Sequence, residues 1–206
     1  MYTLANFLSR APTALRADPP HTWDLSDDEM NSKALMIPQG IVPKSAAVLV
    51  GVMDNGMPSV LLTQRTARLS THGGQIAFPG GRIDEGETPL QAAVREAQEE
   101  TGLASRYIEP LGYLDGYLTV TGYFIVPVVA RILPGHQLTP QATEVDDIFD
   151  VPLGFLLDEK NRETQTREWK GMTRRYYVYP YEQRYIWGAT AGIIKNLSDR
   201  FQHAEA

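Results

Sequence analysis

Glu96, Glu99 and Glu100 crowd one short stretch of the chain, GRIDEGETPLQAAVREAQEETGL, from Gly81 to Leu103. At about 100° per helical residue, Glu96 and Glu100 project about 40° apart, one turn along the axis. Glu99 sits further round the same side. Like charges at that spacing repel, and a hard divalent cation that takes oxygen ligands relieves the repulsion. Mg²⁺ suits a few carboxylates, with substrate phosphate oxygens and water filling its other positions. Glutamate-rich helix faces are more often simply solvated. Arg95, four residues before Glu99, would then form an ordinary surface pair worth a few tenths of a kcal/mol. The glycine-bearing loop at a fixed distance ahead of the cluster favours the metal-binding reading.

The elements that must position these groups are legible locally. Thr88 is a good N-cap, with Gln91 three residues on completing a capping box. Pro89 falls at the first helical position, and Gly102 is a ready helix stop. Leu90, Ala93, Val94 and Ala97 form the apolar stripe between them. Upstream, SAAVLVGVM and PSVLLTQ have strand length and are joined through Asp54-Asn55-Gly56, a hairpin signal. The second strand runs into a loop, LLTQRTARLSTHGGQIAFPGG, that carries Arg65, Arg68 and His72, then Gly73-Gly74. Cationic side chains and backbone N–H groups on such a loop suit an anion, phosphate above all. A flexible, solvated loop is the competing reading. Phe78-Pro79-Gly80-Gly81 reads as a rigid entry to the acidic segment, with Phe78 a packing residue before it is a ligand contact.

The spacing Gly81, Glu87, Arg95-Glu96, Glu99-Glu100, Gly102-Leu103 matches the Nudix box, Gly-x5-Glu-x7-Arg-Glu-U-x-Glu-Glu-x-Gly-U with U a bulky aliphatic. Ala97, smaller than the pattern prefers, is the soft departure. The chain thus resembles Nudix hydrolases. That resemblance implies an α/β fold, an α/β/α sandwich around a mixed β-sheet, and hydrolysis of a nucleoside diphosphate linked to another group. It implies Mg²⁺ or Mn²⁺ held by Glu96, Glu100 and Glu99 with the Gly80 carbonyl. Glu99 serves as ligand or general base, Arg95 orients the carboxylates, and Glu87 tethers the loop. Glu144 is the candidate for a further carboxylate from beyond the box; favouring a helix N-terminus is an equal reading of it.

The segment from Leu61 to Gly81 resembles the extra motif of coenzyme A-type Nudix pyrophosphatases, with Thr66 where that pattern has Ser. GYLDGYLTVTGYFIVPVV and IWGATAGI look similar to that subfamily, less specifically. The resemblance implies coenzyme A or an acyl derivative as substrate, split to 4′-phosphopantetheine and adenosine 3′,5′-bisphosphate. Arg65, Arg68, Gly74, Phe78 and Gly81 are the candidate substrate-binding residues, and Arg174, Arg175 or Arg184 would meet a 3′-phosphate. ADP-ribose or a dinucleoside polyphosphate is the alternative substrate. A non-catalytic nucleotide-binding module is the alternative from another class, though such proteins commonly lose box carboxylates.

The rest of the chain sets bounds. At 206 residues with 43% apolar content it suffices for one domain with a full core. It has no cysteine, which removes disulfides and thiolate metal sites. A net charge of −6 argues against a general nucleic-acid binder, no stretch reaches membrane-spanning length, and the start lacks a signal-peptide pattern. Cytoplasmic residence is the default expectation, the partner is a small molecule, and a homodimer stays open. Residues 1–40 read as an N-terminal extension packed on a 41–206 domain. Leu4, Phe7 and Leu8 suggest a short helix over 2–10, and Ser26 to Glu29 has capping-box spacing. Asp115, Tyr117 and Tyr123 are candidates to face the site, although aromatics in strands are more often core. HQLTPQATEVDDIFDVPLGFLL reads as a loop, then a short helix capped by Thr143. RRYYVYPYEQRYIWG reads as a hairpin, and GATAGIIKNLSDRFQ as a C-terminal helix burying Ala191, Ile194, Leu197 and Phe201.

Overall fold

The structure, a computed structural model, describes residues 3–21, 42–54, 56–68, 73–119, 121–169 and 172–204. The Ser26–Glu29 spacing, Asn55 and His72 lie outside them. Lys44–Asp54 (β1) and Pro58–Arg65 (β2) form the expected antiparallel hairpin, with Asp54 opposite Pro58. Gly56 takes a positive φ of 99°, and its N–H donates to Asp54 Oδ1.

β1 runs parallel to Tyr123–Ile132 (β7) and antiparallel to Gly80–Arg82 (β4), so the sheet is mixed. β2 also pairs with Ile76–Ala77 (β3) and with Val145–Pro152 (β8). Ile108–Tyr113 (β5) and Tyr117–Leu118 (β6) complete the sheet along β7. Alternation along the strands divides the core in two. Ala47, Leu49, Leu61, Val128 and Ala130 pack under the helix Pro89–Thr101 (α2), against Ala92, Ala93 and Ala97. Val50, Val52, Val60, Leu62 and Val129 face the other way. There they meet Leu4–Ala14 (α1), Leu153–Leu157 (α3) and Ala189–His203 (α4). The result is the expected α/β/α sandwich.

α1 is longer than its apolar residues suggested. Leu4, Phe7, Ala11 and Ala14 are buried, and Phe7 stacks on Phe201 of α4 with ring centroids 4.4 Å apart. All four residues expected to bury α4 do so. The loop and helix expected over 136–157 are only half right. Val145–Pro152 is a strand and the helix begins at Leu153. Asp146 and Asp147 therefore lie in β8, because Val145, Ile148 and Val151 find backbone partners on β2. The expected hairpin over 174–188 is Met172–Tyr181 (β10) with Arg184–Trp187 (β11), and Glu163–Trp169 (β9) adds a third strand. Tyr179 and Ile186 tie this second sheet to the α4 side of the core.

Candidate active site

The helix that carries the carboxylates is fixed at both ends. Gln91 N–H donates to Thr88 Oγ1 at 3.2 Å, and Thr88 N–H to Gln91 Oε1 at 2.8 Å, a reciprocal capping box. Gly102 ends it in the left-handed region at φ 71°. The buried stripe is narrower than expected: Ala92, Ala93 and Ala97 are buried, while Leu90 and Val94 are half-buried. Small residues there let α2 lie close on the sheet.

Arg95 is the hub of the acidic segment. Its Nε reaches Glu87 Oε1 at 2.8 Å and its Nη2 reaches Glu87 Oε2 at 3.0 Å, a bidentate pair. Nη1 bridges Glu96 Oε1 at 2.9 Å and Glu99 Oε2 at 3.1 Å. Nη2 also donates to the Arg82 carbonyl. The Arg95 guanidinium holds the Glu87 carboxyl down at about 2, and the Asp84 N–H adds to this. In return, its bonds to Glu87 and Glu96 push the Arg95 pKa up.

Glu100 is the buried member, 3% exposed. Its Oε2 accepts from Gly80 N–H at 3.1 Å and its Oε1 from Arg65 Nη1 at 3.2 Å. Burial nevertheless pushes its pKa up to about 7, against the pull of Gly80 N–H and Arg65, and nearby Glu96 and Glu144 push the same way. Burial also raises Glu96, opposed by its bond to Arg95. Glu96, Glu99, Glu100 and Glu144 line one cavity of about 280 Å³ together with Gln141. A larger hollow of about 700 Å³, bordered by Met57, Phe155, Lys160 and Gln202, contains none of the predicted site residues.

Glu144 reaches this cavity because its loop is stapled to both neighbours. Gln141 N–H donates to the Glu100 carbonyl and Thr139 N–H to that of Thr101, while Thr66 N–H donates to the Glu144 carbonyl. Close packing accounts for Gly80 and Gly81. A Cβ on Gly80 would lie 2.4 Å from the Ala47 carbonyl oxygen, and one on Gly81 2.4 Å from Glu96 Oε1. Arg68 and Gly74 are exposed on the loop beside the site. Phe78, 3% exposed, is a core residue with almost no surface to offer a ligand.

Other candidates stand elsewhere. Asp115 lies between α1 and α4, bonded to Arg200, Asn196 and Arg16. Tyr117 packs on Gly192 of α4, and Tyr123 lies under the Lys44 ammonium at 5.8 Å. Arg184 is engaged by Asp147 at 2.7 Å and by Gln64, and stacks 3.6 Å from the Phe149 ring centroid. Arg175 is exposed on β10, and the Arg174 side chain lies outside the described residues. Sequence reasoning missed the Arg65–Glu100 pair and Gln141. The first joins residues 35 apart and has no local signal.

The donor set is all oxygen, with four carboxyl groups around one cavity, which fits a hard divalent cation. Among the described residues no three acidic or imidazole side chains are already drawn into a coordinating shell. Arg95 and Arg65 supply the positive charge the carboxylates need and hold them apart. Among the described residues, no helix is long and apolar enough to cross a membrane.

Comparison with known proteins agrees with this geometry. The NUDIX domain model matches residues 42–176. The protein described as "Uncharacterized Nudix hydrolase NudL" in Citrobacter koseri is 37% identical over 177 residues, 84% of this chain and 92% of that one. Its namesake in Photorhabdus laumondii is 34% identical over 203 residues, 98% of this chain and all of that one. The crystal structure of a MutT protein from Methanosarcina mazei superposes with a TM-score of 0.50 at 16% identity, over 81% of this chain and 97% of that one, and shares the fold. With a box segment built around a capped helix, an acidic cavity at its end and relatives matched along nearly their whole length, the chain belongs to the Nudix hydrolases, enzymes that act on pyrophosphate bonds of nucleoside diphosphate derivatives with the help of divalent metal ions.

Proposed function

We propose that this protein hydrolyses the diphosphate of coenzyme A or its acyl derivatives in the cytoplasm, giving 4′-phosphopantetheine and adenosine 3′,5′-bisphosphate. One observation carries the reading. The segment that resembles the coenzyme A-type motif contributes Arg65 and Gly80, and both bond the same buried carboxylate of the box, Glu100. Substrate-class motif and acidic cluster are thus joined at a single side chain.

Glu96 and Glu100 would hold Mg²⁺ or Mn²⁺, with the Gly80 carbonyl alongside. The bound ion supplies charge neutralisation on the diphosphate and a more acidic water. Glu99, whose side chain is 61% exposed and bonded to Arg95 through Oε2, would take the proton of the attacking water with its other oxygen. Arg95 fixes Glu87, Glu96 and Glu99 relative to one another through its fork of donors. Glu144 adds a further carboxylate to the same cavity. Arg68 and the Gly74 backbone, both exposed, are the groups that would meet phosphate oxygens.

The test is product analysis after incubation with coenzyme A and Mn²⁺, beside ADP-ribose and a dinucleoside polyphosphate. The expected result is 4′-phosphopantetheine and adenosine 3′,5′-bisphosphate in equal amounts, and none when EDTA is present. Turnover of ADP-ribose far above that of coenzyme A would overturn the substrate assignment.

A further inference from the structure

We infer that Arg65 is an exchangeable counter-ion: it occupies Glu100 until a divalent cation arrives, and is then released to the diphosphate. The inference rests on the metal-site reading above and assigns Arg65 a place in the order of binding.

Arg65 ends β2, just past an irregularity in its pairing with β8 between Gln64 and Arg65, and its side chain turns toward α2, where it meets Glu100. Its backbone is pinned there. Arg65 N–H donates to the Gln75 carbonyl at 2.9 Å, and its own carbonyl accepts from Gly74 N–H at 3.0 Å. Movement is therefore confined to the side chain. The guanidinium is partly exposed, its side chain at 26% against 4% for Glu100, which lines the cavity. Among the described residues it is held by one side-chain bond, at 3.2 Å, to Glu100 Oε1. Glu100 Oε2 is occupied separately by the rigid Gly80 N–H.

A cation entering among Glu96, Glu100 and Glu144 must take up Glu100 oxygen, and Oε1 is the one not bound to backbone. A guanidinium and a divalent ion on the same buried oxygen repel strongly, because little water screens them. Arg65 has somewhere to go. Its outward neighbours are the exposed loop residues Ala67, Arg68 and Gly74. A freed guanidinium there presents a planar fork to phosphate oxygens. The metal would thus lose affinity to Arg65 in the empty protein and return it as affinity for substrate. The two ligands would bind with positive coupling, metal first.

The test uses the whole chain at pH 8.5 and does not depend on turnover. Mg²⁺ binding is measured by calorimetry for the parent, Arg65→Gln and Arg65→Lys. ADP binding is measured with Ca²⁺ in place of Mg²⁺ and, separately, in EDTA. Removing a charged hydrogen-bond competitor predicts Mg²⁺ binding about tenfold tighter in Arg65→Gln, and Arg65→Lys lies between. ADP binding with Ca²⁺ weakens about tenfold in Arg65→Gln, whereas in EDTA parent and variant bind alike. Unchanged or weaker Mg²⁺ binding in both variants overturns the exchange and leaves the metal site standing. Equal loss of ADP affinity with and without Ca²⁺ overturns the release step. A parent that binds no Mg²⁺ sinks the metal-site reading and this inference together.

Discussion

Replacing Glu100 by Gln keeps the side chain's size and removes its charge. Glu100 is 3% exposed, and its carboxyl is pushed from 4.5 up to about 7, chiefly by burial. A carboxyl whose pKa is higher in the folded chain than in the unfolded one makes its full contribution to stability below pH 4.5. That contribution is lost as pH rises through about 7, because the folded chain holds the proton more tightly. The interval between the two values, at roughly 1.4 kcal/mol per unit, comes to about 3 kcal/mol. Most of this falls between pH 5 and pH 8. The Gln variant has no such proton to lose, and Arg65 is exposed enough to turn to water rather than be stranded. Urea unfolding in EDTA should therefore show parent and variant nearly equal at pH 5, and the variant ahead by about 2–3 kcal/mol at pH 8. Other titrating groups are common to both proteins and cancel in the difference. Mg²⁺ at a hundred times its Kd should return about 2.7 kcal/mol to the parent at pH 8 and clearly less to the variant. A gap between parent and variant that is the same at pH 5 and pH 8 would refute the account of Glu100 as a buried, destabilised carboxylate.

Three further substitutions test the geometry around the carboxylates. Arg95→Lys keeps the positive charge but cannot span Glu87, Glu96 and Glu99 from one nitrogen. It should lower kcat by roughly 10- to 100-fold, the scale of a lost ligand-orienting contact, while circular dichroism stays unchanged. The neighbouring glycines should fail differently. A methyl group on Gly81 meets the end of the Glu96 side chain, so Gly81→Ala should reduce kcat and leave the melting temperature near that of the parent. On Gly80 it meets the β1 backbone at Ala47 and Val48, so Gly80→Ala should lose roughly 1–3 kcal/mol of stability as well. Identical melting curves for the two would contradict the packing described.

Where sequence and structure agree, the signal was local. The capping box at Thr88, the stop at Gly102 and the turn at Gly56 each depend on residues only a few positions apart. So does the acidic cluster, whose members share one helix. The misses are non-local. β9, ETQTREW, carries no apolar alternation and exists because β10 pairs with it. The segment Val145–Pro152 offers aspartates suited to a helix start, yet its apolar residues are claimed by β2. Asp115 is near the acidic helix in sequence, but its partner Arg200 comes from the last helix, 85 residues away. Phe78, beside the box glycines, turns into the core because the strand ahead of it alternates.

The stacking of Phe7 on Phe201 bears on how this enzyme can be trimmed. The span recognised as the catalytic module, residues 42–176, omits both rings. A fragment cut to that span would keep α3 on the side of the sheet away from the chemistry but lose α1 and α4, and so uncover part of the core that holds Val50, Val52, Leu62 and Val129. Such a fragment would keep every box carboxylate and still be prone to aggregate, since a broad bare apolar face is an association hazard. The smallest piece able to fold is longer at both ends than the piece that reacts.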